Sequence, residues 1–564
     1  MRTIVAIMAM VWAAASATAE DIRYTLTPQV ENGALNGIAV EMVLTGEADG
    51  ETVIELPDAW GGKTELWRGI SDFRVSGQGL KLDAGASPAL KVLRHAPRAA
   101  LTVRYRVTQM WQGEPAVTGS NEYRPVIRPN YFHLIGWAMM ARPKWSLATT
   151  ATVSFRGMPE GWQLASDLEH GSLSLADVLE SISVGGDFRV LKAGTLRVAI
   201  RGTWAFTDDD FIKRLQPIIA SHHKFWGDQP APFLVTVMPL QAEVGSMSLG
   251  GTGLNDAFAF FATSNVADRQ LTRILAHEHL HSWIPRRVGM MPQGDADPLE
   301  YWLSEGFTDF YTYRLLVREG MWSVEEASRA YNDVMWDYAF SPVRNAPNAK
   351  VAAEFWQERA MNDLPYQRGL LFATLADDRV RRASKGARDL DDIVLAMKRV
   401  VDGLGKGAIP PAIRGNFVAW AKESGVDIQD DLARYIEKGE TIALPADALA
   451  PCGVIETSSV AEFDRGFDGR KTILNNNIVV GVDPNGPAFA AGLRDGMQIL
   501  SLDLSVGRDS RVPLTYKVRA NGVTREISYL PAGKRKVTLQ ELKLKPMSDE
   551  AVRKACAARF AGSG

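Results

Sequence analysis

His277-Glu278-His279-Leu280-His281 is the stretch on which the reading of this chain turns: two histidines four apart, with a glutamate beside the first. On a helix this spacing sets His277 and His281 on one face, one turn apart, where two imidazoles can share one metal ion. Glu278 stands beside them, placed to polarise a water. The flanks favour a helix. Asn265 can cap it and Asp268 can face the first-turn N–H groups. Leu271, Ile274 and Leu275 recur at helical spacing, and Pro285 marks a stop. His279 points elsewhere and is not read as a ligand.

A catalytic centre of this kind needs a third ligand and an open position. Tyr301-Trp302-Leu303-Ser304-Glu305-Gly306-Phe307-Thr308-Asp309 supplies the ligand. The spacing predicts a helix from Trp302 to Glu319, stopped by Gly320, with Glu305 as the third ligand. Asp309, one turn on, can accept the second N–H of a ligand histidine and fix its tautomer. Two imidazoles and one carboxylate leave room for water, the donor set of catalytic rather than structural zinc. One Zn²⁺ per chain is the expected cofactor.

HEHLH followed by WLSEGFTDFY resembles the thermolysin-like zinc peptidases, and among them the M61 glycyl aminopeptidases that carry a PDZ domain. The resemblance implies zinc binding by His277, His281 and Glu305, and catalysis by Glu278. It also matches the family's Tyr-x-x-Gly region to Tyr366-Gln367-Arg368-Gly369. Pro365 suits the first turn of a helix, so Tyr366 is expected near a helix start that favours developing negative charge, with Tyr301, Tyr311 and Tyr313 as alternatives. The family's Gly-Leu-Glu-His, where substrate lies along an edge strand, looks like Gly253-Leu254-Asn255-Asp256 here. The glutamate that would anchor a substrate amine is Asn255, and Asp256 comes one position late. Asp256, or another carboxylate such as Glu243, could replace it; with neither, the cleft would read peptides internally. Gly253, Asn255 and Asp256 are the expected substrate-binding positions.

The expected fold is multidomain α+β. Residues 1–19 read as a signal peptide: Arg2, an apolar run from Ile4 to Ala15, and a small-residue cleavage site at Ala17-Thr18-Ala19. Residues 20–205 read as an antiparallel β domain, on alternating runs such as Leu101-Thr102-Val103-Arg104-Tyr105-Arg106-Val107. His133 falls there, read as structural or facing the cleft. Residues 206–445 read as a thermolysin-like, mostly helical catalytic domain, with an irregular polar wall or lid over 338–364. Residues 446–469 read as a linker, 470–545 as a PDZ-like β domain, and 546–564 as a tail. Gly486-Pro487-Ala488 and Ala491-Gly492-Leu493-Arg494-Asp495-Gly496 carry the PDZ resemblance, and such a domain can add a peptide as an extra strand.

The formal charge of -3 and the absence of a long basic tract argue against a nucleic-acid partner. No later run is apolar enough to span a membrane once the signal is removed. Cys452 and Cys556 flank the C-terminal region and, in an exported chain, could pair or remain thiols. The function expected is that of a periplasmic or secreted zinc metallopeptidase with peptide substrates. It is read as an aminopeptidase preferring small N-terminal residues such as glycine or alanine. The alternatives are a zinc endopeptidase and a peptide-binding scaffold with an inactive cleft.

Overall fold

The computed structural model describes residues 21–119, 121–169, 173–243, 247–266, 268–292, 294–405, 408–502 and 509–562. The signal-peptide expectation at 1–19 lies outside these residues. The chain divides into two compact units, residues 1–223 with 228–282, and residues 224–227 with 283–564.

Alternation builds the first unit. Ile22–Glu31, Ala34–Thr45, Ala100–Val107 and Ile70–Ser76 are neighbours in a six-stranded sheet. Ile38, Val40, Met42 and Leu44 face its core, as do Leu101, Val103, Tyr105 and Val107. A period of two puts every second side chain on one face, and those positions are apolar. The expectation of an antiparallel domain needs one correction. Ile22–Glu31 pairs parallel with Thr150–Phe155, Ile22 opposite Ala151. Strand polarity across so long a connection leaves no local mark in the sequence.

The sheet that positions the zinc motif contains five strands, in the order Arg189–Ala193, Leu196–Ile200, Phe233–Pro239, Ala257–Ala262, Leu249–Gly253. Its middle three run parallel. Buried on both faces, they read as continuous apolar runs such as Phe233-Leu234-Val235-Thr236-Val237-Met238. The expected boundary at 205/206 falls inside this sheet. Leu249–Gly253 is its edge, antiparallel to Ala257–Ala262. The HExxH helix, Asp268–Leu280, follows that hairpin. It ends ahead of Pro285, with His281 in the turn that continues it: its N–H reaches the Glu278 carbonyl at 3.2 Å.

The second unit is helical at its centre. The helix expected from Trp302 to Glu319 runs Tyr301–Arg318, and Gly320 takes φ +68° just beyond it. Ser323 followed three residues on by Glu326 is the sequence pattern of a capping box, and the two form one for Val324–Phe340; Asp389 caps Leu390–Asp402. The irregular wall expected over 338–364 is corrected: Asn348–Glu354 is a helix, and the next begins at Arg359 and runs to Ala383. Pro365 lies inside that helix, where its missing N–H leaves the carbonyl one turn back without an intrahelical partner.

Two glycines set how closely the helices Tyr301–Arg318 and Arg359–Ala383 pack. A Cβ on Gly369 would stand 1.9 Å from the Trp302 carbonyl oxygen, and one on Gly306 would stand 2.3 Å from the Gly369 Cα. The backbones therefore touch, and no larger residue fits. Further along, Arg314 is buried among Asp377, Asp389 and Asp391 at 3.0, 2.8 and 3.0 Å, joining three helices. A buried guanidinium with three carboxylate partners is well compensated, whereas loss of one partner would leave a charge stranded.

The C-terminal region departs from its expected divisions. Gly453–Phe463, inside the supposed linker, is a strand paired antiparallel with Ala532–Leu544. The supposed tail contains the helix Glu550–Ala561, capped by Asp549. Cys452 and Cys556 form a disulfide with Cα atoms 4.7 Å apart. The PDZ-like stretch has a core of its own around Val479, Leu493, Tyr516 and Val518. Its three strands are Gln498–Leu502, Leu514–Ala520 and Val523–Tyr529, the last two joined by Asn521-Gly522, both at positive φ. The apolar run Ile478-Val479-Val480 forms only one bridge, Ile478 to Gln498, and Gly481 turns the chain at φ +74°.

Gly369→Ala should lower stability by about 1–3 kcal/mol, because the added methyl meets backbone that cannot move aside. Gly415→Ala is the control. It lies in the helix Ile413–Glu423 with nothing within 4 Å of its Cβ position, and should be neutral or stabilising. Thermal unfolding of both variants checks this; equal midpoints would contradict the close approach.

Candidate metal centre

The HExxH motif offers two nitrogen donors. His277 sits in the last turn of its helix and His281 just past it, with ring centroids 4.9 Å apart. His277 is buried and His281 half-buried. His279 faces the opposite way, as expected: its Nδ1 lies 2.8 Å from Nδ1 of buried His222, and its ring packs edge-on against Phe233. Burial holds both His222 and His279 well below the usual imidazole range.

Glu278 is held by the edge strand. The Gly253 N–H donates to its Oε2 at 2.9 Å. A Cβ on Gly253 would come within 3.0 Å of the Glu278 carbonyl and of the His281 Cβ, so glycine lets the strand lie against the motif. Among the described residues no further strand pairs with its other edge, an arrangement along which a peptide can add.

The positions beyond Gly253 behave differently from the expectation. The Asn255 amide donates to Asp177 Oδ1 at 2.8 Å. Asp177 belongs to the capping box of Leu175–Leu179, so Asn255 completes a structural network. Asp256 is exposed, and its charge acts on the buried carboxyl of Asp167, which burial above all, with Asp256 adding, pushes up to about 8. Glu243 is exposed. A carboxylate that the sequence pattern did not single out adjoins Tyr123, whose hydroxyl reaches the edge strand. Glu122 is buried with 9% exposure, and its Oε2 has no hydrogen-bond partner. Its neighbour Tyr123 donates to the Gly251 carbonyl at 3.3 Å, and both Glu122 and Glu278 raise the Tyr123 phenol after burial has done so. Burial pushes the Glu122 carboxyl upward, opposed by its own backbone N–H and by Lys63. Nothing in the local pattern around Asn121-Glu122-Tyr123 marks this residue, because the fold brings it from a loop to the edge strand. His133 is structural: fully buried, bonded to Thr236 at 3.0 Å and held down to about 3 by burial.

Glu305 offers an oxygen donor. Glu305 is half-buried on its helix, and Asp309 is buried one turn on. Tyr366 is half-buried inside the helix Arg359–Ala383, three residues before Gly369, which touches Gly306 next to Glu305. The expectation that it lies at a helix start is thus corrected, and its proposed work cannot draw on a helix N-terminus. Tyr311 and Tyr313 are buried in the core, and Tyr301 donates to Asp297 at 2.9 Å.

His277, His281 and Glu305 together form a group able to hold a metal ion, their ligand atoms within 4.8 Å of one another. Two imidazoles and a carboxylate at that spacing fit zinc.

Residues 270–364 match the sequence profile of the M61 glycyl aminopeptidases. No curated protein sequence matches the chain. In fold it is similar to the aminopeptidase N family protein of Idiomarina loihiensis, with a TM-score of 0.66 at 14% identity, covering 94% of this chain and 99% of that one. An M1 zinc metallopeptidase of Deinococcus radiodurans overlaps less closely, at a TM-score of 0.48 and 16% identity over 76% of this chain and 95% of that one. The chain thus carries a segment similar to the M61 glycyl aminopeptidases and a group of two histidines and a glutamate able to hold a metal ion, in a fold similar to that of the Idiomarina protein.

Purified protein should take up zinc through this group. Glu305→Ala should weaken uptake by roughly 10-fold or more, the loss expected even for partners outside the ligand set. Titration against a chromogenic chelator measures it, and unchanged affinity would remove Glu305 from the ligands.

Proposed function

We propose that the protein is an exported zinc aminopeptidase acting on small N-terminal residues such as glycine or alanine, with His277, His281 and Glu305 as ligands of one zinc ion per chain. The observation that carries this reading is the Gly253–Glu278 hydrogen bond, which joins an open strand edge to the glutamate of the motif. A zinc ion held by these three residues would supply Lewis acidity and lower the pKa of a bound water. Glu278 takes the proton of the attacking water and passes it to the leaving amine. The hydrogen bond from Gly253 holds its carboxylate in place between those transfers. Asp309 fixes the tautomer of a ligand histidine, and Tyr366 donates to the oxygen on which charge develops.

An aminopeptidase must also pair its substrate's ammonium, because a desolvated charge left alone costs several kcal/mol. Asn255 is committed to Asp177 and brings no charge. Glu122 fits the task better than Asp256, being buried beside the edge strand with one oxygen unsatisfied. The endopeptidase reading would be favoured only if no carboxylate stood near that strand. A scaffold reading requires a lost ligand or base, and His277, Glu278, His281 and Glu305 are all in place.

Export agrees with the Cys452–Cys556 disulfide, since such bonds persist in oxidising compartments. No described helix is long and apolar enough to cross a membrane.

Glu278→Gln should keep zinc and fold yet lose at least ~10²-fold in peptide hydrolysis. Near-normal turnover by the zinc-loaded variant would remove Glu278 as the base. Glu122→Gln should raise KM for peptides with a free N-terminus by roughly 10-fold or more, as expected when a buried charge loses its partner. An unchanged KM would send the search for the amine anchor elsewhere. N-terminal sequencing of the native protein should begin at Glu20; a retained Met1 would contradict cleavage after Ala19.

A further inference from the structure

Within the first unit, the edge strand Leu249–Gly253 meets a side chain from a distant part of the sequence. The hairpin sets which backbone groups of this strand point outward. Leu254 donates its N–H to the Ala257 carbonyl at 2.8 Å, so Thr252 and Gly250 face the strand Ala257–Ala262, while Gly251 and Gly253 face away from it. Each of these two glycines bonds to a side chain. Gly253 donates to Glu278, and the Gly251 carbonyl accepts from the Tyr123 hydroxyl at 3.3 Å. A peptide lying along this edge advances about 3.3 Å per residue. One whose reacting carbonyl stands at Glu278 therefore meets Tyr123 about two residues away.

Tyr123 is held where it stands. The hairpin Trp60-Gly61-Gly62-Lys63 is closed by two backbone hydrogen bonds of 2.9 Å between Trp60 and Lys63. It lies against the phenol ring: a Cβ on Gly61 would stand 2.9 Å from the ring's Cγ. Phe261 packs edge-on against the same ring at 5.7 Å. The Arg124 N–H donates to the Asn121 carbonyl at 3.0 Å, closing the turn that carries Glu122 and Tyr123. The chain before that turn is tied to the sheet just past Phe233–Pro239. There the Val117 N–H reaches the Gln241 carbonyl and the Gln241 N–H reaches the Pro115 carbonyl, each at 2.9 Å. After burial, the charges of Glu122 and Glu278 both act on the Tyr123 phenol.

We propose that Tyr123 is the stop that makes this cleft read a peptide's end. Its ring closes the strand edge at Gly251, so the substrate holds one residue between Tyr123 and the bond cleaved at Glu278, and a chain extended beyond that residue is excluded. The inference rests on the aminopeptidase reading, with Glu122 as the partner of the amine, and adds to it the group that ends the cleft. Adjacent residues then divide the work: Glu122 draws the terminal ammonium and Tyr123 bars anything before it. Tyr123 sets specificity; the proton transfers belong to Glu278.

Two peptides that share one Gly–Ala bond test it. Gly-Ala-Ala-Ala has a free amine; in acetyl-Ala-Gly-Ala-Ala-Ala one more residue precedes the bond. The native protein should cut that bond in the first alone. Tyr123→Leu and Tyr123→Val keep an apolar group against the hairpin and fall short of Gly251. Each should raise kcat/KM for the extended peptide by roughly 10-fold or more, as when room is opened for an excluded group. Tyr123→Phe keeps the ring and should still exclude it. Zinc-loaded Glu278→Gln allows the same comparison by calorimetry without turnover, and the extended peptide should bind only once Tyr123→Leu is added. If the native protein cuts neither peptide but binding follows this pattern, the stop stands and the aminopeptidase reading fails. If the native protein cuts only the free peptide, and both variants still cut it yet neither admits the extended one, the stop is overturned and the aminopeptidase reading stands. Native protein that cuts or binds the extended peptide as well as the free one also overturns the stop.

Discussion

The hydrogen bond from the Gly253 N–H to Glu278 Oε2 joins the two things a peptidase of this kind must bring together. One is a strand edge along which a peptide backbone can lie. The other is a glutamate one residue beyond a metal-binding histidine. Each comes from an element with its own reason to form. The strand closes a sheet whose middle strands are buried on both faces, and the helix follows directly from the next strand of that sheet. The bond needs glycine at 253, since a Cβ there would press on His281 and on the Glu278 backbone. A side chain at that position would press strand and helix apart and loosen the carboxylate proposed as the base.

The second unit meets a matching constraint with different means. Glu305 must be presented from a helix that does not shift. Backbone contact at Gly306 and Gly369 holds one end of that helix, and Arg314 among three aspartates holds the other. The network continues to the chain's end, where Arg559 of the last helix also reaches Asp377. The cost of burying these charges is met only with every partner in place, so the C-terminal helix is part of what keeps the glutamate's helix in register.

What could be read in the sequence follows the range of the interactions concerned. The HExxH turn, the capping boxes at Ser323 and Asp389, and the stop at Gly320 are local patterns, and they read correctly. Pro365 misled because proline is commonest in a helix's first turn, whereas this helix accommodates it well inside, starting at Arg359. Gly453–Phe463 looked like a linker because its partner, Ala532–Leu544, lies far along the chain and pairing leaves no local trace. Asn521-Gly522, a dipeptide that favours tight hairpins, joins Leu514–Ala520 to Val523–Tyr529. Glu122 could not have been found by pattern: its significance comes from the edge strand at Gly251, which folding brings to the neighbouring Tyr123.

The central claim is that the cleft reads the amino end of a peptide, and one comparison tests it most directly. Two copies of one peptide, beginning with glycine, are offered to the zinc-loaded protein, one with a free amine and one acetylated, and the products are weighed by mass spectrometry. The account predicts release of the first residue from the free peptide alone. Internal cleavage of the acetylated peptide at an equal or greater rate would contradict it.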